Sequence, residues 1–500
     1  MNKPNSFDRF SRTDDVRANL KQKSVRGAVF MASGNAADIF VRFASIAILA
    51  RLLLPEDFGL IAMVLAITSI LDGFRDFGLS SATVQRPEIS HRQVSNLFWV
   101  NVAVGVTLAT IIASTAPLVA AFYEESRLVD IAIALALVFV WNGLTVQHEA
   151  LLLRQLRQGE LALIRLAASV ISVIVAIVLA LNDWGYWSLV WREIVRSAVV
   201  TSGVWLRCLW LPGLPRRNVG TRSLVRFGSE ISLTHVIYSL TMHLDKLLIG
   251  RLFGATPVGL YRQAQQLILT PIEQLNGPVI GVAQPALSAL QLDPERYRRF
   301  YEKIVFIIGA LTIPLGLFIS ACAEEITLIV LGPKWIEATV FVQIFGIGAA
   351  IRPVTGTSSI VLITCGRSTR YLVLAMVQAV VLGLLLLAAI PWGPEGMAIA
   401  YVGTSLALMY PNLHFSFVDT PATVSGFFNA LLAPFSSALV MLCAVVAVRK
   451  LAPTDRLIES LALSAAVGGT AYLASMWLQP SGRAEMRSMV TDFRAALGAQ

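Results

Sequence analysis

Apolar segments long enough to cross a membrane follow one another along almost the whole of this chain. A helix that crosses about 30 Å of hydrocarbon needs about 20 mostly apolar residues, and about fourteen such segments can be placed. They are predicted to begin near residues 27, 57, 97, 127, 161, 185, 226, 259, 302, 337, 369, 394, 428 and 457. Charged residues make up only 14% of the 500 residues, too few to cover a soluble domain. The sequence therefore predicts an all-α polytopic membrane protein.

Basic residues are concentrated in alternate loops between these segments. Arg154 and Arg157 follow the fourth segment, for example, whereas the next loop along the chain carries no basic residue. Loops rich in basic residues are typically cytoplasmic. The tails belong to the same alternating set, so both termini are predicted to be cytoplasmic. The loop with Arg449, Lys450 and Arg456 is an exception on the predicted outer side. The net charge of +9 is thus explained by membrane topology, and no nucleic-acid partner is predicted.

One short motif occurs twice, 200 residues apart. RLLLPEDFGL occupies residues 51–60, and RLFGATPVGL occupies residues 251–260. Each copy ends one apolar segment and leads into another. Two related halves inside a membrane are typical of transporters, in which two lobes surround a central site.

Charged and amide side chains interrupt several apolar segments. An ionised side chain at mid-bilayer costs about 2.5–3.5 kcal/mol, so such residues normally face protein or water. Seven of them are predicted to line a substrate cavity: Arg42, Arg192, Arg196, Lys246, Arg262, Gln266 and Asn276. Because a guanidinium group binds phosphate with two hydrogen bonds, the predicted cargo carries phosphate on a lipid. Three acidic residues are candidates for coupling transport to H⁺ or Na⁺: Asp38, Asp245 and Glu273.

Some of these charges also have a structural interpretation. Asp38 and Arg42 lie one helical turn apart and can form a salt bridge. Asp245 and Lys246 are adjacent and point about 100° apart on a helix. We therefore expect that they cannot simply neutralise each other, and that at least one meets another helix or the cavity.

The roles of two further charged groups depend on which residues or ions lie beside them. Arg192 and Arg196 repel each other unless an anion or an acidic group lies between them. Asp72, Arg75 and Asp76 share one helix end and are predicted to form ion pairs at a cytoplasmic gate. No metal or other cofactor is predicted, because the four cysteines lie far apart without metal-ligand spacing.

Several longer motifs resemble those of the Wzx-type polysaccharide exporters. They are ARLLLPEDFGLIAM (50–63), FRDFGLSSATVQRPEIS (74–90), LFWVNVAVG (97–105), DKLLIGRLFGATPVGLYRQAQQLILTPIEQL (245–275) and PVIGVAQPALSALQLDPERYRRFY (278–301). These exporters belong to the multidrug/oligosaccharidyl-lipid/polysaccharide exporter superfamily. The chain is most similar to the branch that exports colanic acid, teichuronic acid and succinoglycan.

The resemblance implies two six-helix lobes around a central cavity, followed by two extra helices. The lobes would cover residues 27–210 and 226–416, with a cytoplasmic loop at 211–225 and the extra helices at 427–478. The tails, 1–26 and 479–500, would be cytoplasmic.

The resemblance also implies the cargo and its partners. The cargo would be an oligosaccharide repeat unit on undecaprenyl diphosphate, moved by alternating access across the bacterial inner membrane for exopolysaccharide or lipopolysaccharide assembly. Membrane lipids would be partners, as would a polysaccharide polymerase and a chain-length regulator. The chain would act as a monomer and not as an enzyme.

Three alternatives remain open at this point. A cation-coupled multidrug exporter of the same superfamily would share the fold, although an arginine-rich cavity should repel cationic drugs. A membrane polysaccharide polymerase or ligase would need a sizeable outer loop, and the predicted outer loops are short. A passive scaffold of the polysaccharide assembly complex would not need so many charges inside the membrane.

Overall fold

A computed structural model describes residues 20–74, 79–86, 89–216, 239–452 and 456–498, and within these ranges the regular structure is helical without a strand. The predicted all-α class is thus confirmed. The chain divides into two units, Met1–Gly259 and Leu260–Gln500. The lobe boundary that the sequence predicts, at residues 211–225, remains a prediction.

The first unit is built from long helices joined by short loops. They are α1 (Leu20–Leu52), α2 (Pro55–Asp72), α3 (Leu79–Gln85), α4 (His91–Tyr123), α5 (Leu128–Arg154), α6 (Gln158–Leu181), α7 (Trp187–Cys208) and α8 (239–253). Helix α4 packs along α5, α6 packs along α7, and α1 lies against α6. A further helix, α9 (Ala255–Ala289), begins in this unit and continues into the second.

The second unit has its own set of helices. They are α10 (Pro294–Ala321), α11 (Ala323–Val330), α12 (Ala338–Thr364), α13 (Ser368–Ala389), α14 (Gly393–Ala407), α15 (Met409–Phe417), α16 (Val424–Leu451), α17 (Leu457–Leu478) and α18 (Pro480–Gly498). Helix α10 is central, because α12 and α16 both pack against it, and α17 then packs against α16.

By length and composition, eight helices in the described residues are apolar enough to cross a membrane, with Ser368–Phe417 counted as one. The predicted total of fourteen spans therefore remains a prediction. Many predicted starts lie close to observed ones: the segments placed near residues 127, 369 and 457 begin at Leu128, Ser368 and Leu457. The helices with most of the predicted site residues, such as α7, are more polar than these eight.

Local sequence explains where several helices begin. Helix α4 starts with a capping box, in which the Ser90 hydroxyl accepts from the Gln93 amide and the Gln93 side chain accepts from the Ser90 amide. Helix α10 starts at Pro294, after Asp293 has accepted a hydrogen bond from the Arg296 amide. These caps satisfy amides that would otherwise lack partners at a helix start.

The two copies of the repeated motif meet backbone to backbone in the first unit. A Cβ atom built on Gly59 would lie 1.8 Å from the Ala255 carbonyl oxygen, and one built on Gly259 would lie 1.9 Å from the Pro55 carbonyl oxygen. Pro55 and Ala255 are equivalent positions of the repeat, as are Gly59 and Gly259. The contact is therefore reciprocal, as at a two-fold axis. We call this contact the motif seam.

An extended segment after α7 is held along the first turns of α4 by side chains. Ser95 accepts from the Gly213 amide at 2.9 Å, and the Trp99 indole donates to the Gly213 carbonyl at 2.9 Å. Asn96 donates to the Arg216 carbonyl and accepts from its amide. Three polar side chains of α4 thus fix the described beginning of the segment that the sequence predicts as an inter-lobe loop.

A buried ion pair joins the C-terminal hairpin, α16 and α17, to the rest of the second unit. Arg449, near the end of α16, lies 2.7 Å from the Glu325 carboxylate on α11, and Glu325 is 6% exposed. Arg449 also donates to the Ala321 carbonyl, and Ser460 on α17 donates to Glu325. Arg449, an exception to the predicted charge distribution, thus has a buried acidic partner at its own end of the unit.

Candidate functional site

Charged residues from two helices gather at mid-length in the first unit, beside a hydroxyl from a third. Asp38 and Arg42 lie on α1, and their carboxylate and guanidinium are 2.8 Å apart, which confirms the predicted one-turn salt bridge. The Ser169 hydroxyl on α6 donates to the other oxygen of Asp38. Helix α7 contributes three charged residues. We call the whole group the interior cluster: Asp38, Arg42, Ser169, Arg192, Glu193 and Arg196.

Glu193 lies between the two arginines of α7. Its carboxylate is 2.9 Å from Arg192 and 3.9 Å from Arg196. Arg196 is also within electrostatic range of Asp38 and Arg42, so the charges of α1 and α7 act on each other. Of the two alternatives left open by the sequence, an anion or an acidic group between the two arginines, the structure shows the acidic group, Glu193.

The interior cluster has more positive than negative charge, and its basic side chains are the more accessible. Three arginines face two carboxylates within the described cluster. The carboxylates of Asp38 and Glu193 are only 16% and 20% exposed, whereas Arg42 and Arg196 are 51% and 43% exposed. An accessible guanidinium at mid-helix depth belongs in water rather than in lipid. This geometry suits an anion that approaches from a water-filled space.

Asp245 and Lys246 on α8 correct one expectation. Both are buried, and the Lys246 ammonium donates to the Asp245 carboxylate at 3.2 Å and to the Met242 carbonyl at 3.3 Å. The expectation that these neighbours could not neutralise each other was wrong, because the flexible four-carbon lysine side chain reaches back around the helix. Lys246 is 9% exposed, so its ammonium is less accessible than the arginines of the interior cluster.

The remaining predicted cavity residues lie on α9 in the second unit. Arg262 and Gln266 are half-buried. Asn276 is 6% exposed, and its side-chain carbonyl oxygen has no hydrogen-bond partner among the described residues. The Glu273 side chain lies outside the described residues.

The predicted cytoplasmic gate is described only in part. Asp72 is the exposed last residue of α2, whereas Arg75 and Asp76 lie outside the described residues. Among the residues that the structure describes, no three metal-ligating side chains come together.

Sequence reasoning missed Ser169, which contacts Asp38 of the interior cluster, and Arg352 in the second unit. Ser169 gives no sequence signal, because serines are common in membrane helices. Arg352 does give one: it lies in the middle of α12, and its guanidinium stacks over the Tyr401 ring of α14 at 4.4 Å. The rule that identified the other intramembrane charges applies to Arg352 as well.

A second charged group lies at the end of the first unit that carries the motif seam. Arg127 donates to both oxygens of Glu125 at 2.8 Å and also to Glu56 of the first motif. Arg251 of the second motif lies 2.9 Å from Glu124. We call these five residues the motif-end latch. Hydrogen bonds from Arg127 hold the pKa of Glu125 below its usual value, and those same bonds raise the pKa of Arg127.

Comparison with known proteins identifies the relatives of this chain. The family described as "Polysaccharide biosynthesis protein" matches residues 48–340. The lipopolysaccharide biosynthesis protein WzxC of Escherichia coli strain K12 is 26% identical over 341 residues, covering 67% of this chain and 68% of the relative. The succinoglycan biosynthesis transport protein ExoT of Rhizobium meliloti strain 1021 is 24% identical over 327 residues, covering 65% of each protein. These matches confirm the resemblance inferred from the motifs.

Two solved structures share the fold. The lipid II flippase MurJ, in an inward closed conformation, has a TM-score of 0.75 at 12% identity, over 90% of this chain and 98% of MurJ. An inward-facing multidrug resistance transporter of the MATE family has a TM-score of 0.59 at 14% identity, over 78% of this chain and 96% of that one. The fold is thus that of membrane transporters.

Proposed function

Because this chain belongs to the polysaccharide biosynthesis protein family, we propose that it is a flippase for lipid-linked oligosaccharides. Its cargo is an oligosaccharide repeat unit on undecaprenyl diphosphate, which it moves across the bacterial inner membrane. The relatives named for lipopolysaccharide and succinoglycan biosynthesis support an exopolysaccharide or lipopolysaccharide product. The chain is a transporter and not an enzyme.

The interior cluster is the observation on which this proposal depends. Its arginines outnumber its carboxylates, and Arg42 and Arg196 are the accessible members. A diphosphate has several oxygen acceptors that match the N–H donors of guanidinium groups. The polyprenyl tail stays in lipid while the headgroup binds these donors, and alternating access then exposes the site to the other face of the membrane.

The direction of transport agrees with the charge of the cargo. With the cell interior negative, moving about two negative charges outward through 100 mV releases roughly 4.6 kcal/mol, at about 2.3 kcal/mol per charge. Asp38 is the proposed site for a coupling H⁺ or Na⁺, because it already binds Arg42 and Ser169 and a cation would compete with Arg42 for it. Collapsing the proton and sodium gradients separately in vesicles tests this coupling. Transport that neither treatment changes would exclude it.

We propose an orientation in which the end of the first unit that carries the motif seam faces outward and the opposite end of this unit faces the cytoplasm. The opposite end carries Arg157 and Arg207, and there Arg154 donates to the carbonyls of Thr83 and Arg86. The motif-end latch is instead rich in carboxylates. This asymmetry supports cytoplasmic termini. A polymerase and a chain-length regulator are proposed partners at the membrane, and the chain is proposed to act as a monomer.

Deletion of the gene tests the function directly. We expect surface polymer to be lost and lipid-linked repeat units to accumulate on the inner leaflet. Complementation with Arg42→Ala or Arg196→Ala should restore export poorly at normal protein level. Arg296→Ala is the matched control, because Arg296 lies at the exposed start of α10 with Asp293 as its partner. Normal export in both interior-cluster variants would show that the phosphate site lies elsewhere.

The same deletion strain also tests whether the protein is a flippase or a multidrug exporter. The shared fold does not distinguish them, but the positive excess of the interior cluster does, because it repels a cationic drug. We expect unchanged sensitivity to cationic dyes in the deletion strain. Increased dye sensitivity with normal polymer would contradict the proposal.

A further inference from the structure

An ion pair between α5 and α6 lies close to the interior cluster. Arg165 on α6 donates to the Glu149 carboxylate on α5 at 2.5 Å. The Arg165 side chain is 55% exposed, whereas that of Glu149 is 17% exposed. Helix α6 is one of the apolar helices that can cross a membrane, and Arg165 lies about 10 Å from its start at a rise of about 1.5 Å per residue. An ionised side chain at this depth needs water or protein around it.

The large exposed apolar side chains of α6 lie on the face opposite to Arg165. At about 100° per residue, all of them point roughly 140–240° away from it. They are Leu163, Val170, Ile171, Ile174, Val178 and Leu181. A continuous exposed apolar face on a membrane helix contacts lipid, whereas charged side chains face the bundle or a water-filled space. Arg165 therefore points away from lipid.

The face around Arg165 is otherwise packed against protein. One turn before it, a Cβ atom built on Gly34 of α1 would lie 2.9 Å from the Cβ atom of Ala162. One turn after it, Ser169 is buried and donates to Asp38 of α1. The packing thus closes on both sides of Arg165, while Arg165 itself is more than half exposed. An exposed guanidinium on the protein-facing side indicates a water-filled opening at this point of α6.

The opening lies on the same side of α6 as the interior cluster and closer to the start of the helix. Arg165 is one turn from Ser169 of the cluster, and the two side chains point only about 40° apart. On α7, a Cβ atom built on Gly203 would lie 2.6 Å from the side chain of Ile164, the neighbour of Arg165. Arg196 is a further seven residues along α7, which is about 10 Å along the helix axis. A ligand that enters from the start of α6 therefore meets Arg165 before Arg196.

Arg165 has N–H donors available for such a ligand. A guanidinium carries five N–H groups, and among the described residues Glu149 accepts the one hydrogen bond that the Arg165 side chain donates. The more buried carboxylate holds the guanidinium from one side, so the other donors are left for a ligand in the opening. Phosphate oxygens suit these donors, because they accept two hydrogen bonds from one guanidinium.

We propose that Arg165 is an entry site for the diphosphate of the cargo, which binds there before it moves about 10 Å further to the interior cluster. Glu149 is a positioning residue, since its carboxylate holds the guanidinium and need not touch the cargo. This inference rests on the proposed flippase function and adds an earlier binding step within the first unit. The phosphate of an ordinary phospholipid shares the chemistry of this ligand, and the binding experiments below separate the two.

Cysteine labelling tests the water-filled opening without any cargo. In full-length protein in lipid nanodiscs, with the four native cysteines replaced, Arg165→Cys and Leu163→Cys are treated with a charged methanethiosulfonate reagent. We expect Arg165→Cys to react at least about tenfold faster, because only a thiol in contact with water ionises and meets the reagent. Ala168→Cys on the same helix is the buried control. Equal rates at Arg165→Cys and Leu163→Cys would overturn the proposal.

Binding of pure undecaprenyl diphosphate, measured by native mass spectrometry, tests the two members of the pair. Arg196→Gln serves as the background, so that binding at the interior cluster does not hide the entry site. In this background, Arg165→Gln should bind the probe at least about fivefold more weakly, because charge-assisted hydrogen bonds to phosphate are lost. Glu149→Gln should bind it at least as tightly as the background, because its amide oxygen still accepts from Arg165 and the negative charge that repels a diphosphate is gone.

The opposite effects of the two substitutions separate ligand binding from folding. Both variants remove the same ion pair, so a merely structural pair would give equal losses in the two. Equal losses, or no loss in Arg165→Gln, would overturn the proposal.

A second probe and an export assay complete the test. Phosphatidylglycerol should bind the background and its Arg165→Gln variant within about twofold of each other, whereas a loss as large as that for undecaprenyl diphosphate would show a general phospholipid site and overturn the role in cargo entry. Arg165→Gln alone should reduce polymer export at normal protein level, and normal export would contradict the entry step. A wild-type protein that neither binds undecaprenyl diphosphate nor supports export would instead refute the proposed function, whatever the labelling result.

Discussion

The interior cluster and the motif-end latch contain the same residue types in opposite balance. In the latch, three carboxylates surround Arg127 and Arg251, and Arg127 contacts two of them. In the interior cluster, three arginines share two carboxylates that lie deeper than they do. Both arginines of the latch thus have carboxylate partners, whereas the interior cluster has one positive charge in excess. Under the proposed function, the local charge balance, more than the presence of an ion pair, would separate structural from ligand-binding arginines.

The largest expected effect is on transport and comes from the interior cluster. Arg196→Gln should reduce export at least about tenfold, because a charge-assisted hydrogen bond contributes about 1.5–3 kcal/mol and tenfold corresponds to about 1.4 kcal/mol. Arg127→Gln removes a guanidinium from the latch and should change export less than about twofold. The measurement is surface polymer at matched protein level. Equal losses in the two variants would end the distinction between the two groups.

Substitution of the glycines at the motif seam should strongly decrease the stability of the protein. Gly59→Ala and Gly259→Ala each place a methyl group against a backbone carbonyl that cannot rotate away. Overpacking of this kind costs typically about 1–3 kcal/mol. We expect a lower thermal unfolding temperature for both variants, and a similar decrease in each because the contact is reciprocal. Gly277→Ala on α9 is the matched control, since a Cβ atom there meets nothing within 4 Å. A decrease in only one of the two variants would show that the seam is asymmetric.

The smallest expected effect is the pH dependence of the latch. Arg127 lowers the pKa of Glu125 in the folded protein, so the unfolded state binds the proton more readily. The stabilisation is present above the unfolded pKa of about 4.3 and is lost as the pH falls through the lower folded value. Glu125→Gln should therefore be less stable than wild type at pH 7, and the difference should shrink below about pH 4. Thermal unfolding at several pH values measures this. Glu295→Gln, which removes the carboxylate of an exposed pair with Arg299, is the control for the loss of a surface carboxylate.

The sequence predicted many helix positions closely because hydrophobic length is a local property. Helices α4 and α10 nevertheless begin at His91 and Pro294, before the starts predicted near residues 97 and 302, because the capping signals at Ser90 and Pro294 extend each helix beyond its apolar part. The pairing of Asp38 with Arg42 was equally accessible, since one helical turn separates them. The family resemblance depended on motifs that span several helices.

What could not be predicted from the sequence depends on side-chain reach and on contacts between distant helices. Helical angles alone suggested that Asp245 and Lys246 point apart, but a lysine side chain is longer than that argument allows. Ser169 and Asp38 form a hydrogen bond although 131 positions separate them in the sequence, and no sequence pattern predicts such a contact. Arg352 could have been found, because a lone arginine in the middle of an apolar segment is itself a signal.

The ion pair between Glu325 and Arg449 means that the last two long helices are not a detachable appendage. A carboxylate buried in α11 has its cationic partner on α16, and Ser460 on α17 donates to the same carboxylate. Replacing Arg449 alone would leave that carboxylate covered by α17 but without its arginine, and removing one member of a buried pair typically costs about 3–5 kcal/mol. A variant at Arg449 would therefore need Glu325 replaced by an uncharged residue as well before its transport could be judged, since otherwise misfolding would be mistaken for lost activity.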